Sequence, residues 1–328
     1  MGRPLAHRRR AGAGAGAGPR ADIAVTHSLD FPRADAAPSA FSPARLLLRH
    51  PSAAGDRMLG RFGPFEARLA ATRKEVRKAQ KLRYRVFFEE GGARPDAASR
   101  LARRDMCAFD NVCEHLLVYD MEALNRFGRR KPRLAGVYRL LSQDAARRHF
   151  GFYSQREFDL SPLLARRPQT RFLELGRACV DARYRSKRVV EVLWRGLWAY
   201  ALREKIDALI GCASLPGLDA DALALQLSFL RRCAGAAEDW TARPHPGRRI
   251  EMDRLAPDAP LDARRALAAL PPLLKAYLRV GAKFGDGAVA DPQFGAIDVF
   301  TVMPVAEVAE RYAAYFGAPM ERPDGALA

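Results

Sequence analysis

Glu174 and Arg177 stand three residues apart inside the apolar stretch Phe172–Val180, an acid and a base in a segment that otherwise reads as a buried strand. A buried charge without a partner is very costly. The two therefore either satisfy one another as a structural ion pair or act on something that binds between them. Residues three apart on a flat strand face opposite sides, but a bulge at Gly176 would reset the alternation and let both side chains reach one cavity. A carboxylate there can orient an incoming amine and accept its proton, its pKa raised by burial and lowered by the arginine. The planar fork of Arg177 suits that carboxylate or one carried by a substrate. Directly after the strand, residues 181–188 supply Arg183, Arg185, Lys187 and Arg188 at the head of a helix. Free backbone N–H groups and the helix dipole favour a phosphate there, the alternative being a solvated basic turn.

These residues need a strand, a turn and a helix to hold them, and the pattern supplies each. Val190, Leu193, Leu197 and Tyr200 or Ala201 form an apolar stripe that would lock the turn against a sheet. Upstream, residues 65–70 read as a short strand. Thr72 and Glu75 form a capping-box pair opening a helix with Val76, Ala79, Leu82 and Val86 at helical spacing, stopped by Gly91 and Gly92. Residues 115–119 and 134–141 read as an antiparallel pair of strands joined by a charged, basic connection. Residues 142–170 are mixed and partly helical. Residues 208–214 form a second buried strand, followed by a helix capped by Asp219 or Asp221. Two strand-to-helix units imply locally parallel order beside a meander, so the expected fold is α/β with a mixed, mostly antiparallel sheet flanked by helices. A helix at Pro272–Val280, a closing strand at 297–305 and an amphipathic helix at 306–316 complete the reading.

Of the 328 residues, 48% are hydrophobic, enough for a sizeable core, and the net charge is +18. Such a charge calls for an anionic partner: nucleic acid, an acidic carrier protein or a membrane surface. Residues 1–57 are rich in Ala, Gly, Pro and Arg and read as a disordered tail; residues 58–318 read as one domain and 319–328 as a polar tail. Five cysteines without CxxC spacing point to reduced thiols and no metal site. Cys179 reads as a small buried strand residue rather than a nucleophile, Trp194 and Trp198 as core or the wall of a channel, and His115 as packed. Apolar runs are far shorter than the roughly 20 residues of a spanning helix, so a cytoplasmic protein is expected, with any membrane contact peripheral at the inner face.

Six stretches together resemble a known family: LRYRVFFEE at 82–90, HLLVYD at 115–120, GVYRLL at 136–141, ELGRACV at 174–180, GCAS at 211–214 and LLKAYLRVGA at 273–282. Residues 58 to 318 are similar to the ornithine acyltransferases of bacterial ornithine-lipid synthesis, a branch of the Gcn5-related N-acyltransferase (GNAT) superfamily. The resemblance implies transfer of a 3-hydroxyacyl chain from acyl carrier protein to the α-amine of L-ornithine, with no tightly bound cofactor and acyl-phosphopantetheine as co-substrate. It also implies that the strand ending in Cys179 and Val180 pairs with pantetheine amides while Arg185, Lys187, Arg188 and Val189 cradle the phosphate. A second likeness, to acyl-homoserine-lactone synthases, covers residues 83 to 180. Its pattern matches Arg85, Asp110 and Arg139 as substrate-binding positions, with Glu174 and Arg177 as catalytic ones. The superfamily's phosphate loop carries glycines where Arg188 and Val190 stand, which favours a single phosphate on an acidic carrier protein over coenzyme A. An anionic membrane surface is a further expected partner; nucleic acid has no recognition motif to support it.

Overall fold

A computed structural model describes residues 57–185, 187–256 and 258–308. The chain opens with a hairpin, β1 (Met58–Phe62) and β2 (Phe65–Leu69), and then α1 (Arg73–Tyr84). The capping box is in place: Thr72 Oγ1 accepts from the Glu75 N–H and the Glu75 carboxylate accepts from the Thr72 N–H. α1 runs on into a π-helical turn, Arg85–Glu90, which Gly91 ends. α2 (Ala97–Ala102), β3 (Glu114–Asp120), β4 (Arg133–Ser142) and α3 (Gln143–Arg148) follow. Next come a 3₁₀ turn at Tyr153–Arg156, β5 (Phe158–Asp159), α4 (Ser161–Arg166), β6 (Phe172–Val180) and α5 (Lys187–Arg203). The chain continues with β7 (Ala208–Pro216), α6 (Ala224–Ala234), β8 (Arg243–Pro244), α7 (Ala263–Ala269), α8 (Pro272–Val280), β9 (Lys283–Asp291) and β10 (Ala296–Pro304).

Eight strands form one sheet in the order β1-β2-β3-β4-β6-β7-β10-β9, antiparallel except for β6 beside β7. The expected mixed, mostly antiparallel sheet flanked by helices is thus present. One face carries α5, α6, α7 and α8 over a core of Val192, Leu193, Trp194, Leu197 and Trp198. α1 covers part of the other face, on Leu117, Val137 and Cys179. The apolar stripe of α5 starts at Val189, fully buried, whereas Val190 is 38% exposed. A Cβ at Gly136 would come within 3.2 Å of the Val189 side chain, so helix and sheet are in close contact there.

β6 and β7 pair only from Phe172–Leu175 to Ala208–Gly211. Beyond that point β6 keeps β4 as its neighbour and β7 keeps β10, so the two parallel strands part into a fork. Gly211 sits at the fork, where a Cβ would lie 2.6 Å from the Leu175 carbonyl oxygen; only glycine permits this approach.

Several elements differ from the sequence expectation. β1 and β9 are additional strands. β9 is disguised by Gly285, Gly287 and its aspartates; Gly287 has φ +105° under the ring of Pro244. α6 begins after Leu223, and Asp219 instead caps the preceding turn by accepting from the Asp221 and Ala222 N–H groups. Only a 3₁₀ turn, Val305–Glu307, stands at the start of the expected last helix, whose remainder lies outside the described residues, as does the expected tail before Arg57. Among the described residues no helix is long and apolar enough to cross a membrane.

Candidate active site

Where β4 steps from Val137 to Arg139, β6 steps from Cys179 to Gly176, so β6 carries one extra residue. This is the bulge that the strand needed. Its strained residue is Arg177, at φ +55°, rather than Gly176. A non-glycine residue in that region is strained by on the order of 1–3 kcal/mol and persists only where its surroundings fix it. The consequence is the one required: Glu174, Gly176, Arg177 and Arg139 line a single cavity, of about 10 Å³, with Tyr153 and Ser154.

Each charge in this cavity is held. Glu174 Oε2 accepts from the Tyr153 N–H (2.5 Å), while Oε1 accepts from the Ser154 N–H (2.7 Å) and the Ser154 hydroxyl. Burial raises the pKa of Glu174, and these hydrogen bonds pull the other way. Arg177 Nε donates to Asp105 Oδ2 at 2.9 Å, and its guanidinium lies 5.3 Å from the ring centres of Tyr153 and Phe294. Arg139 lies 5.0 Å from the Tyr153 ring and 3.6 Å from Asp110 Oδ1. Between these two arginines stands a third, Arg83. Its Nε is 2.8 Å from Asp105 Oδ2, and its Nη1 and Nη2 donate to Asp110 at 2.9 and 2.7 Å. A buried chain therefore runs Arg177–Asp105–Arg83–Asp110–Arg139. Burial disfavours the Asp110 carboxylate, yet Arg83 holds it well below the usual carboxylate range. His115 Nε2 lies 3.1 Å from the Asp110 carbonyl oxygen, and burial, with Arg83 nearby, pushes its pKa down to about 4.

A family model of the acetyltransferase (GNAT) domain matches residues 82–195, the span from α1 to the middle of α5. The chain is 48% identical over 268 residues to an L-ornithine N(alpha)-acyltransferase of Agrobacterium fabrum, covering 82% of this chain and 90% of that one. It is 46% identical to the enzyme of the same name from Brucella abortus, over 81% of this chain and 93% of that one. The chain belongs to the L-ornithine N(alpha)-acyltransferase family. It is an N-acyltransferase, and the lactone-synthase likeness is a distant structural one. Among solved structures, FeeM, an N-acyl amino acid synthase from uncultured soil microbes, matches with a TM-score of 0.43 at 13% identity, over 74% of this chain and 92% of that one.

Of the five positions drawn from the family patterns, the structure brings four together and leaves one outside. Glu174, Arg177 and Arg139 line the cavity, and Asp110 braces Arg139 from behind. Arg85 does not join them: it is 45% exposed and donates to Asp181 Oδ2 at 2.7 Å. The third buried arginine beside Arg139 and Arg177 is Arg83, two residues earlier, which sequence reasoning passed over. The signal was present, because Val76, Ala79, Arg83 and Val86 keep helical spacing and Arg85 lies off that stripe. Asp105, in the loop before β3, had no such signal.

The basic turn is partly occupied by its own partners. Asp181 accepts from the Arg183 N–H, Nε and Nη2 and from Arg85, and Arg185 pairs with Glu90. Arg188 is exposed at the start of α5, Ser186 lies outside the described residues, and only the backbone of Lys187 is described. The Val189 side chain is core, so a cradle there would use its backbone N–H. Cys179 packs against α1, and burial pushes its thiol far above the ordinary range. Val180 pairs with Gly136 of β4, its other edge facing the opened fork. Among the described residues one buried acid group, Glu157, Asp291 and Asp298, places carboxylate oxygens within 4.8 Å of one another; it contains none of the residues that line the cavity.

Proposed function

We propose that the protein moves a 3-hydroxyacyl chain from the phosphopantetheine arm of an acyl carrier protein to the α-amine of L-ornithine, giving lyso-ornithine lipid. The observation that carries this reading is the β6 bulge, which lets Glu174 and Arg177 share a single cavity with Arg139 of β4 beside the fork. An α-amino acid fits that charge pattern. Its carboxylate takes the guanidiniums of Arg139 and Arg177, which are suited to planar, bidentate binding. Its amine then faces Glu174, whose Oε2 keeps a lone pair beyond the Tyr153 bond and accepts the amine proton. The freed amine attacks the thioester carbonyl brought in through the fork. The tetrahedral intermediate collapses with cleavage of the C–S bond, and the departing sulfur takes up a proton as the thiol. Transfer is direct in this scheme, since Cys179 is buried on α1 and its thiol resists ionisation.

A carrier protein as donor is supported by the exposed Arg188 in place of a loop glycine, and by a surface whose sign suits an acidic partner. A membrane surface as a further partner is supported by the β3–β4 connection, where Leu124 (54% exposed) and Phe127 (70% exposed) stand among Arg126, Arg129, Arg130 and Lys131. Apolar side chains within a basic loop suit the interface of an anionic bilayer. The product, with one acyl chain and a polar head, would be delivered there from the inner face.

The test is to incubate purified protein with 3-hydroxyacyl carrier protein and a panel of amino acids and to identify products by mass spectrometry. Acylated ornithine is expected, with lysine and glutamine poor. A lactone formed from S-adenosylmethionine, or no transfer to any amino acid, would contradict the reading. Equal efficiency with acyl-coenzyme A would remove the carrier protein from it while leaving the acceptor in place.

A further inference from the structure

Leu175, Gly211 and Thr301 stand in one row across β6, β7 and β10, on the sheet face that carries α5. Neighbouring strands are about 4.8 Å apart, so Thr301 lies one strand spacing from the point where β6 and β7 part. A second cavity of about 10 Å³ opens here, bordered by Leu175, Leu209, Gly211, Tyr277, Thr301 and Met303. It adjoins the acceptor cavity, because Leu175 and Cys212 line both.

The walls are apolar apart from two hydroxyls. Thr301 is 7% exposed, and its Oγ1 finds no hydrogen-bond partner among the described residues. Tyr277, contributed by α8, shares a single 2.6 Å hydrogen bond with the buried Tyr138 hydroxyl, which leaves that pair with a further proton and lone pairs to offer. The Tyr277 ring packs edge-on against Trp194 of α5 at 5.8 Å, so this wall is fixed by the core. A buried hydroxyl left unpaired destabilises the fold, whereas valine in its place would fill the same volume without that penalty. A hydroxyl kept in an apolar cavity beside a reaction centre points to a polar group on the ligand.

We infer that this cavity receives the hydroxyl on the third carbon of the acyl chain and that Thr301 Oγ1, assisted by the Tyr277 hydroxyl, binds it. The inference rests on the transfer proposed above. In that reaction the thioester carbon lies at the fork, where the amine from the opposite cavity reaches it. The third carbon is two bonds further from the amine, on the side of Thr301. A space of this size holds about one water-sized group, which is the size of the hydroxyl to be recognised. An unsubstituted chain would present a methylene there and leave Thr301 unpaired, so discrimination follows from the cost of an unmet polar group.

The test uses uncleavable amide analogues of acyl-pantetheine, with and without the 3-hydroxyl, and measures their binding to the full chain directly. The wild-type protein is expected to bind the hydroxylated analogue about tenfold more tightly. Thr301→Val should bring the two affinities together while leaving the melting temperature equal or higher, Thr301→Ser should keep the preference, and Tyr277→Phe should reduce it. No preference in the wild type, or an unchanged ratio in Thr301→Val, would overturn the inference. No acceptor is present in this measurement. If ornithine proves not to be acylated while the Thr301-dependent preference stands, the acceptor assignment fails and this one survives.

Discussion

The two sides of the sheet at the fork solve opposite problems. On the α1 side, Arg177, Asp105, Arg83, Asp110 and Arg139 form a buried chain in which each charge touches the opposite sign. On the α5 side the walls are apolar, and the polar features are the Thr301 and Tyr277 hydroxyls. Moving a charged amino acid out of water requires a rigid, prepaired charge array, because an unpaired buried charge cannot be afforded. Holding an acyl chain requires little besides shape. Where the two meet the backbone is closely constrained: Arg177 takes a positive φ, and Gly211 lies too near the Leu175 carbonyl for any side chain.

That contrast can be broken from either side. The largest expected effect is on Glu174. Glu174→Gln should lower kcat by roughly 10²- to 10⁴-fold, the usual contribution of a positioned proton acceptor, with the folded structure retained by circular dichroism. A comparable loss of stability instead would make Glu174 merely the anchor of the Tyr153–Arg156 turn. Next in size is the pair Arg83 and Arg85. Arg83→Ala strands Asp105 and Asp110 in the interior and should cost about 3–5 kcal/mol in urea unfolding, whereas the exposed Arg85→Ala should cost less than about 1 kcal/mol. The reverse order would return Arg85 to the site.

Smaller effects sharpen the donor side and the pH behaviour. Gly211→Ala drives a methyl group into the Leu175 carbonyl and should destabilise the chain by about 1–3 kcal/mol, with the Michaelis constant for the acyl donor rising more than that for ornithine. The depressed pKa of His115, about 4, means that the unfolded chain binds more protons between there and the ordinary value near 6.5. Stability measured by urea unfolding should therefore rise with pH across that window, and His115→Gln should flatten it. Asp110, also depressed, adds a further loss at lower pH, and Glu174, whose pKa is raised, acts in the opposite direction.

Much of this was legible in the chain itself. Apolar runs around 174 and 210, each followed by a helical stripe, implied the parallel pair, and Thr72 with Glu75 marked the start of α1. The bulge was readable from the conflict between two charges and a two-residue period, although its strained position is Arg177 and not the neighbouring glycine. Other parts depend on contacts that no local pattern carries. β9 is held by β10 against its own glycines and aspartates, and Asp105 becomes a site residue only because α1 and β6 bring two arginines to it. Arg83 was hidden by a family pattern that pointed two residues downstream, into a π-helical turn that swings Arg85 toward Asp181.

The most direct measurement is the pH dependence of kcat/KM for ornithine in the wild type and in Glu174→Gln. The account predicts an acid limb with an apparent pKa above the ordinary glutamate value of about 4.3, the rate falling as Glu174 takes up a proton, and no such limb in the residual activity of the variant. An acid limb of unchanged position in Glu174→Gln would contradict it.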